Sequence, residues 1–364
     1  MKISSVELNN FRNISSLRLE ADDGVNVIYG ENAQGKTNIL EGIWLFTGCK
    51  SFRGAKESEL VRFGEDFAKL RLNFADASRE KNADITISPK GKQILLNGVQ
   101  LKSSSELIGS FYAVIFSPSH LSLIKDGPQG RRKFIDTALC QLKPSYAEVL
   151  SRYKHTLMQR NALLKDIHLN SGLYDLLDTL DIQLARFSGQ VVMQRLKYID
   201  ILSGYSKEIY GGISENKEEI SVKYSRNDLD LSLSLEDLCR IEAQRLTDAR
   251  KEDILNRSTT VGPHRDDIEI LINNVSARSF GSQGQQRSCA LALKLGESEI
   301  IKQVTGENPV ALLDDVMSEL DEKRQDYVLN HINDRQVFLT CCDPSQVLRL
   351  CGGKSYLIKK GELC

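Results

Sequence analysis

One eight-residue stretch, GENAQGKT at positions 30–37, constrains the fold of this chain more than any other feature. It follows the apolar run VNVIY and precedes a segment whose apolar residues recur at helical spacing. In that setting the pattern GxxxxGK[ST] predicts a strand, a tight loop and a helix. Gly30 and Gly35 permit the backbone angles that turn successive N–H groups toward a phosphate at the positive end of a helix. The sequence therefore predicts an α/β core with a phosphate-binding loop.

The side chains that close this loop indicate its ligand. Lys36 is placed to reach β- and γ-phosphates, and Thr37 offers a hydroxyl to Mg²⁺, which takes octahedral oxygen ligands. We therefore predict that the loop binds ATP with magnesium. The residues assigned to this Walker A motif are Gly30, Glu31, Asn32, Ala33, Gln34, Gly35, Lys36 and Thr37.

A second segment supplies carboxylates. Residues 310–315, VALLDD, are four apolar residues followed by two acids, as in a buried parallel strand that ends at an active site. Asp314 is expected to hold the magnesium through water, and Asp315 to orient or deprotonate an attacking water. Taken alone, the segment is equally compatible with an ordinary buried strand that runs into a turn.

Residues 279–286, SFGSQGQQ, open a predicted helix with more small residues than a simple turn requires. Such a helix start is a second phosphate-binding element. If it faces outward it cannot easily reach the nucleotide of its own chain, so a dimer in which each copy completes the other's site is one interpretation. A well-capped helix start is the other. Residues 318–321 follow the two acids at the same junction, although an ordinary helix cap at Asp321 also explains them.

The order of predicted elements divides the chain into three parts. The first 118 residues show mainly strand patterns, an antiparallel layer with one helix after the phosphate loop and an Asn97-Gly98 turn. The middle is helical, with a break at residues 170–172, and strands return after Thr260. Both ends thus share one α/β pattern. We predict an N-terminal part of the head at 1–125, a helical arm at 126–258 and a C-terminal part of the head at 259–364.

Composition limits the setting of the protein. The chain has 41% hydrophobic and 27% charged residues, no apolar stretch near the length of a membrane span, and a start without a secretory signal. We expect a cytoplasmic protein with no membrane partner. The eight cysteines form no CxxC pair, which argues against disulfides and zinc. Because the net charge is −1, binding to nucleic acid requires a local basic surface.

These segments, in this order, resemble the head of the ABC and SMC class of ATPases, with Walker A at 30, the signature at 282, Walker B at 310 and the D-loop at 318. The interval between the Walker motifs is too wide for a transporter subunit and too narrow for a full SMC protein. The match in detail is to the RecF family of bacterial recombination proteins. It covers nearly the whole chain in the blocks LNNFRN, GENAQGKTNILEGI, GCKSF, FSPSHLSLIKDGPQGRRKFID, TTVGPHRDD and SQGQQRS.

The resemblance implies both a fold and a function. The fold is an α/β ATPase head, with mixed sheets and a P-loop core, that both chain ends build and that carries an inserted helical arm. The function is that of an ATP-dependent DNA-binding protein of replication, recombination, repair and the SOS response. Such a protein dimerises on ATP at DNA gaps or junctions and hydrolyses ATP weakly, with stimulation by DNA. Its implied partners are RecO and RecR, and indirectly the recombinase RecA.

The resemblance also assigns residues by position. Arg12 and Asn38 are expected near the nucleotide, and Ser318 and Asp321 in the D-loop at the dimer interface. The signature that contacts the γ-phosphate bound to the partner subunit is Ser282, Gln283, Gly284 and Gln285.

Two further blocks of the family carry weaker assignments. Arg131, Arg132 and Lys133 match a basic stretch and are candidate DNA contacts, although a solvated helix face is an equally good interpretation. The block GPHRDD contains His264, to which no chemical role is assigned.

Departures from the broader ABC pattern predict slow turnover. No Q-loop glutamine follows YAVIFSP, Thr340-Cys-Cys342 replaces the histidine that senses the γ-phosphate, and Asp315 is shorter than the usual glutamate. Each change weakens the positioning of water rather than the grip on phosphates. Slow ATP hydrolysis is then expected to set how long a bound state lasts rather than to drive movement.

Three other classes stay open at this level. A transporter ATPase is disfavoured by the helical insertion and the missing Q-loop glutamine. A small-molecule P-loop kinase has no use for the SQGQQ helix start. A non-hydrolysing structural binder would tolerate the loss of Asp314 and Asp315.

Overall fold

The computed structural model describes residues 1–167, 172–226, 228–345 and 352–364. The helix break predicted at 170–172 lies, except for Gly172, outside these residues. The first part of the chain forms β1 (Lys2–Phe11), β2 (Ile14–Glu20), β3 (Val25–Tyr29), α1 (Lys36–Trp44), β4 (Ala68–Ala75), β5 (Glu80–Ser88), β6 (Gly91–Leu96), β7 (Val99–Leu101) and β8 (Ala113–Phe116).

The middle of the chain is helical, as predicted. It forms α2 (Pro118–Leu121), α3 (Pro128–Leu142), α4 (Pro144–Asp166), α5 (Leu173–Ser214), β9 (Ile220–Tyr224) and α6 (Leu235–Asn256). The last part forms β10 (Ile268–Ile272), β11 (Val275–Ser276), α7 (Ala277–Phe280), α8 (Gln283–Thr305), β12 (Val310–Asp314), α9 (Glu322–His331), β13 (Val337–Cys341), β14 (Lys354–Lys359) and β15 (Glu362–Leu363).

Six strands from the first part build an antiparallel sheet in the order β2-β1-β4-β5-β6-β7. Alternation decides which face is buried, because successive strand residues point to opposite sides. In β4, Leu70, Leu72 and Phe74 are buried and the residues between them are not. The predicted turn between β6 and β7 is confirmed, with φ of 50° at Asn97 and 78° at Gly98.

The second large sheet has the order β15-β14-β3-β13-β12-β8 and is parallel from β14 to β8. Strands β12 and β13 are buried throughout, as expected for central strands covered on both faces. Because β3 and β8 precede the arm while β12 to β14 follow it, both chain ends build this sheet. The predicted ATPase-head fold with an inserted arm is confirmed.

Two details of the sheets differ from the expectation, one in the first 118 residues and one at the other end of the sequence. Strands β3 and β8 do not join the antiparallel layer but lie in the parallel sheet. Strands β14 and β15 were not predicted at all. Only Tyr356 and Ile358 of β14 are buried, so the apolar signal of this peripheral strand is weak.

Main-chain pairing joins the arm to the last part of the chain. Strand β9 from the middle pairs with β10, and β11 completes this small sheet. The 42-residue helix α5 packs along α4, α6 and α8. At its crossing with α6, a Cβ on Gly189 would lie 2.9 Å from the main-chain nitrogen of Cys239, so the close approach needs glycine. No helix of the described ranges is long and apolar enough to cross a membrane.

A buried arginine ties the arm helices together. Arg160 of α4 has no exposed surface and donates from Nε to Asp181 of α5 at 2.6 Å. Its Nη1 donates to Asp253 of α6 at 2.6 Å and to Thr259 at 2.9 Å. Asp253 also accepts from the Thr260 main chain at 2.8 Å. One guanidinium thus fixes three helices and the return of the chain to the head.

Replacing Asp253 by Ala should lower the free energy of unfolding by about 3–5 kcal/mol, because Arg160 stays buried with one carboxylate removed. Urea denaturation monitored by circular dichroism measures this. Asp178→Ala is the matched control: Asp178 pairs with Arg250 at 2.6 Å but is half exposed, so its loss should cost less than about 1 kcal/mol. Equal costs for the two variants would contradict this role for Arg160.

Candidate nucleotide site

The loop between β3 and α1 is shaped by two glycines. Gly30 has a φ of 149° and Gly35 a φ of 110°. A Cβ on Gly30 would lie 2.4 Å from the carbonyl oxygen of Ile358, and one on Gly35 would lie 2.7 Å from Oδ1 of Asn13. A side chain is therefore disfavoured by the backbone angle at both positions, and at Gly30 it would also collide with the main chain of Ile358.

Strand β14, which sequence reasoning missed, supports this loop. Its Ile358 lies against Gly30, and the following turn holds Gln34 by two bonds. The Lys360 main chain donates to the Gln34 side chain at 2.5 Å, and the Gly361 main chain donates to the Gln34 carbonyl at 2.9 Å. The loop is thus braced by the C-terminal end of the chain.

Lys36 lies inside the loop it closes. Its side chain is buried, and Nζ donates to the carbonyls of Gly30 at 2.5 Å and Glu31 at 2.9 Å. By contrast, Glu31, Asn32 and Ala33 are exposed at the rim. The ammonium is therefore held at the centre of the loop, where it can exchange carbonyl oxygens for phosphate oxygens.

Thr37 and Asp314 are far apart in the sequence but are hydrogen-bonded in the structure. The Thr37 hydroxyl donates to Oδ1 of Asp314 at 2.7 Å, and the Thr340 hydroxyl donates to the same oxygen at 3.0 Å. Burial raises the pKa of Asp314, while these two hydrogen bonds act in the opposite direction. A hydroxyl and a carboxylate at one point are hard oxygen donors of the kind that Mg²⁺ prefers. The residues present thus fit a magnesium site.

Asp315 turns the chain out of the sheet directly beyond that site. Its φ of 50° is left-handed, which aspartate tolerates better than most residues. Its main-chain N–H donates to the Thr340 hydroxyl at 2.9 Å. The Ser318 hydroxyl lies 2.9 Å from its carbonyl oxygen and 3.3 Å from its carboxylate. The D-loop serine is therefore bonded to the predicted catalytic acid of its own chain.

Arg12 lies against the helix that follows the loop. Its guanidinium forms two 2.9 Å bonds to Glu41, which is fully buried in α1, and a third at 3.0 Å to the carbonyl of Glu59. Arg53, which the sequence analysis did not single out, lies 3.6 Å from Glu41 and donates to Asn38 at 2.9 Å. Its position directly after the GCKSF block was the available signal.

The signature residues form the N-terminal cap of α8. The Ser282 hydroxyl accepts from the Gln285 main chain at 3.2 Å, and the Gln285 side chain accepts from the Ser282 main chain at 2.8 Å. This reciprocal pair is a capping box. Ser282 and Gln283 are exposed, and Gln285 also donates to Glu218 at 2.6 Å. The helix start is thus well capped and also open to solvent.

The D-loop lies between β12 and α9, in the short turn Met317–Glu319. Ser318 and Asp321 are both exposed. Asp321 caps α9 by accepting from the Arg324 main chain at 3.0 Å. The geometry therefore includes the ordinary helix cap that the sequence allowed.

The three basic residues at 131–133 have different environments. Arg131 is buried and donates twice to Asp267 at 2.8 Å, and its remaining nitrogen donates to main-chain carbonyls. These bonds turn the guanidinium of Arg131 toward the protein interior, which makes Arg131 the weakest of the three candidate DNA contacts. Arg132 is partly buried and donates to the Asp266 carbonyl at 2.8 Å, while Lys133 is exposed.

The GPHRDD block joins the arm to the head. The ring of His264 lies 2.5 Å from the Tyr153 hydroxyl and 3.2 Å from the carbonyl of Thr259. Asp266 accepts from the Tyr224 hydroxyl of β9 at 2.7 Å. Burial lowers the pKa of His264 to about 4. The block thus has a structural role that no sequence motif revealed.

The fold and the site define the class of this protein: it is an ATPase head of the ABC and SMC type. A family profile described as "RecF/RecN/SMC N terminal domain" matches residues 2–351. The DNA replication and repair protein RecF of Agathobacter rectalis is 42% identical over 342 residues, which cover 94% of this chain and 92% of that protein. RecF of Clostridium botulinum (strain Kyoto / Type A2) is 40% identical and covers 100% of this chain and 99% of its own. The chain belongs to the RecF family of DNA replication and repair proteins.

Solved structures agree with this assignment. A structure described as the recombination mediator protein RecF-ATPrS in the RecFOR pathway superposes with a TM-score of 0.92 at 39% identity, covering 99% of this chain and 97% of that one. An Smc head domain from Pyrococcus furiosus, bound to the C-terminal domain of ScpA, has a TM-score of 0.56 at 15% identity and covers 100% of this chain and 95% of its own. The second likeness concerns the fold alone.

Because the pKa of His264 is lowered from 6.5 to about 4, its ring should stay neutral through the mildly acidic range. The stability that depends on the neutral ring is complete above pH 6.5 and is lost as the pH falls toward 4. Heteronuclear NMR titration of the ring carbons measures this, and a His264→Asn variant identifies the signal. A titration midpoint near the ordinary value of 6.5 would contradict this lowering of the His264 pKa.

Proposed function

We propose that this protein binds ATP with Mg²⁺ in sites shared by two copies, that the dimer closes on DNA, and that slow hydrolysis reopens it. The observation that carries the proposal is the bond between Thr37 and Asp314, which places a metal-binding hydroxyl and carboxylate beside the phosphate loop. Two solved relatives, described as RecF-ATPrS and RecF-ATP, superpose with TM-scores of 0.92 and 0.90 and support ATP as the ligand.

The residues of the loop divide the work of binding. Main-chain N–H groups of the loop and the ammonium of Lys36 bind the phosphates. Thr37 and Asp314 would hold Mg²⁺, which supplies charge neutralisation at the β- and γ-phosphates. Asp315, held next to them by Thr340 and Ser318, orients the attacking water and accepts its proton.

The signature supports a shared site because its residues bond to parts of their own chain that lie outside the phosphate loop. Gln285 bonds to Glu218 near the end of α5, and Gly284 accepts from Arg324 of α9 at 3.1 Å. The exposed Ser282, at the positive end of α8, is then free to meet the γ-phosphate held by a second copy. ATP stabilises the dimer only because it contacts both copies in the closed state.

Slow turnover follows from the groups that face the γ-phosphate position. Where other ABC ATPases place a histidine, this chain places Cys342, whose sulfur lies 3.8 Å from Nζ of Lys36 and 3.3 Å from Oδ1 of Asn32. A thiol positions water less well than an imidazole. Hydrolysis then limits how long the dimer stays closed.

The remaining assignments extend the same proposal. We place the head in residues 1–125 and 259–364 and the arm in 126–258, joined by the β9 to β10 pairing. The description of the solved relatives as members of the RecFOR pathway supports RecO and RecR as partners, and RecA indirectly. We infer that the protein acts in the cytoplasm, at gapped or junction DNA. Of the basic stretch, Lys133 and partly Arg132 stay candidates for contact with DNA phosphates.

Lys36→Ala and Ser282→Arg should fail in different ways. The first removes the ammonium from the loop and should weaken ATP binding at least tenfold, since a charge-assisted bond to phosphate is lost. The second should keep ATP affinity within about twofold, because Ser282 faces outward, and lose ATP-dependent dimerisation by steric and charge conflict. Equilibrium binding of a fluorescent ATP analogue and sedimentation velocity measure the two effects.

The control for this pair is Ser105→Arg, an exposed serine outside the site elements, which should bind ATP and dimerise as the unchanged protein does. If Lys36→Ala and Ser282→Arg both formed the ATP-dependent dimer as tightly as the unchanged protein, the shared-site proposal would be wrong.

Affinity for duplex DNA in the presence of ATP should fall with rising salt, because contacts to phosphates release counterions. Lys133→Ala should reduce the slope of log affinity against log salt by about 1, whereas Lys133→Arg, which keeps the charge, should retain it. Fluorescence anisotropy across a salt series measures both slopes. An affinity that stays flat from low to moderate salt would contradict phosphate-dominated binding.

A further inference from the structure

Arg324, in the first turn of α9, bonds to two motifs at once. Its Nε donates to the Ser288 hydroxyl at 2.9 Å and one terminal nitrogen donates to the Gly284 carbonyl at 3.1 Å, both on the signature helix α8. Its other terminal nitrogen contacts the carboxylate of Asp321, the cap at the end of the D-loop. The three nitrogens of one planar group thus span the gap between the D-loop and the signature.

The geometry around Gly284 is adapted to this arginine. A Cβ at Gly284 would lie 3.2 Å from the guanidinium, closer than ordinary van der Waals contact. Ser288 is buried one turn further along α8, so its hydroxyl offers a fixed acceptor. The guanidinium therefore bonds to both the first turn and the second turn of the signature helix.

A second arginine joins the same two segments in the opposite direction. Arg287 of α8 donates to the main-chain carbonyl of Glu319 at 2.6 Å and to its carboxylate at 2.8 Å. Since Ser318 bonds to Asp315, the D-loop is attached at one end to the predicted catalytic acid. A continuous set of bonds thus runs from Asp315 through the D-loop to the signature of the same chain.

We propose that Arg324 is a positioning residue for dimerisation: it sets the position of the α8 start, so that Ser282 and Gly284 of one copy can bind the γ-phosphate held by the other. This inference rests on the proposed shared site. Arg324 does so without touching the nucleotide of its own chain, because its contacts are Ser288, Gly284 and Asp321. Its loss therefore affects association of two copies rather than the ATP affinity of one.

The shape of the guanidinium matters as much as its charge. A fixed planar fork makes several bonds at once, whereas a lysine ammonium on a flexible stem acts as a point charge. Arg324→Lys should therefore not rescue the function of Arg324→Ala. A role limited to a surface ion pair with Asp321 would instead be rescued by lysine.

The test compares the full-length unchanged protein with Arg324→Ala, Arg324→Lys and Ser288→Ala. The matched control is Lys323→Ala, since Lys323 is the preceding residue, is exposed and pairs with Glu215 at 3.2 Å. Three quantities are measured for each: affinity for a fluorescent ATP analogue at protein concentrations where it is monomeric, the dimer dissociation constant with ATP by sedimentation velocity, and the thermal unfolding midpoint.

We expect Arg324→Ala and Arg324→Lys to weaken the ATP-dependent dimer at least tenfold, and Ser288→Ala, which loses one of the three bonds, to weaken it about threefold. ATP affinity should stay within twofold in every variant, and Lys323→Ala should match the unchanged protein. If Arg324→Ala does not fold, Ser288→Ala with its intact arginine decides the question.

Three results would overturn the inference. Arg324→Ala and Ser288→Ala could dimerise as tightly as the unchanged protein, lysine could restore full dimerisation, or Arg324→Ala could lose ATP affinity in parallel with dimerisation. Failure of the shared-site proposal itself would be recognised by the behaviour of the unchanged protein. In that case the unchanged protein stays monomeric with ATP, and the inference about Arg324 falls with it.

Discussion

The bond between the Thr37 hydroxyl and the Asp314 carboxylate is the interaction on which the site depends. It joins residues 277 positions apart in the chain, one after the phosphate loop and one at the end of a buried strand. The bond is possible only because β3 and β12 lie on either side of β13 in one parallel sheet, so their carboxyl ends reach the same edge. The insertion of a long helical arm between them leaves this edge intact.

The arm is attached by a polar contact region as well as by apolar packing. Arg160 with Asp253, Arg131 with Asp267, and the partly buried ring of His264 all lie where the chain leaves the arm and returns to the head. Buried charges are costly unless each is paired in a defined geometry. Such a region therefore favours one orientation of the arm relative to the head. Because α5 of the arm packs against α8, that orientation also affects the position of the helix that begins with the signature.

Much of this could be predicted from local patterns. The phosphate loop, the VALLDD strand and the helix starts predicted within residues 279–286 and at Asp321 each carry a signal within a few residues, and the structure has these elements close to those positions. Predictions were weaker where a residue's role depends on what approaches it from elsewhere. Arg131 lies in a basic stretch typical of a DNA contact, but its guanidinium pairs with Asp267 inside the protein. Strand β14 has too few buried residues for its sequence to be recognised as a strand.

The sequence by itself determined the chemistry of the ATP loop, the family and the two-ended construction of the head, because these depend on residue types at fixed spacing. Only the tertiary structure decided that β14 braces the loop, that Arg53 joins Asn38 beside Glu41, and that Arg324 links the D-loop to the signature. Each of those contacts connects segments distant in sequence or separate helices. Their existence depends on how the elements pack, and no local pattern encodes that.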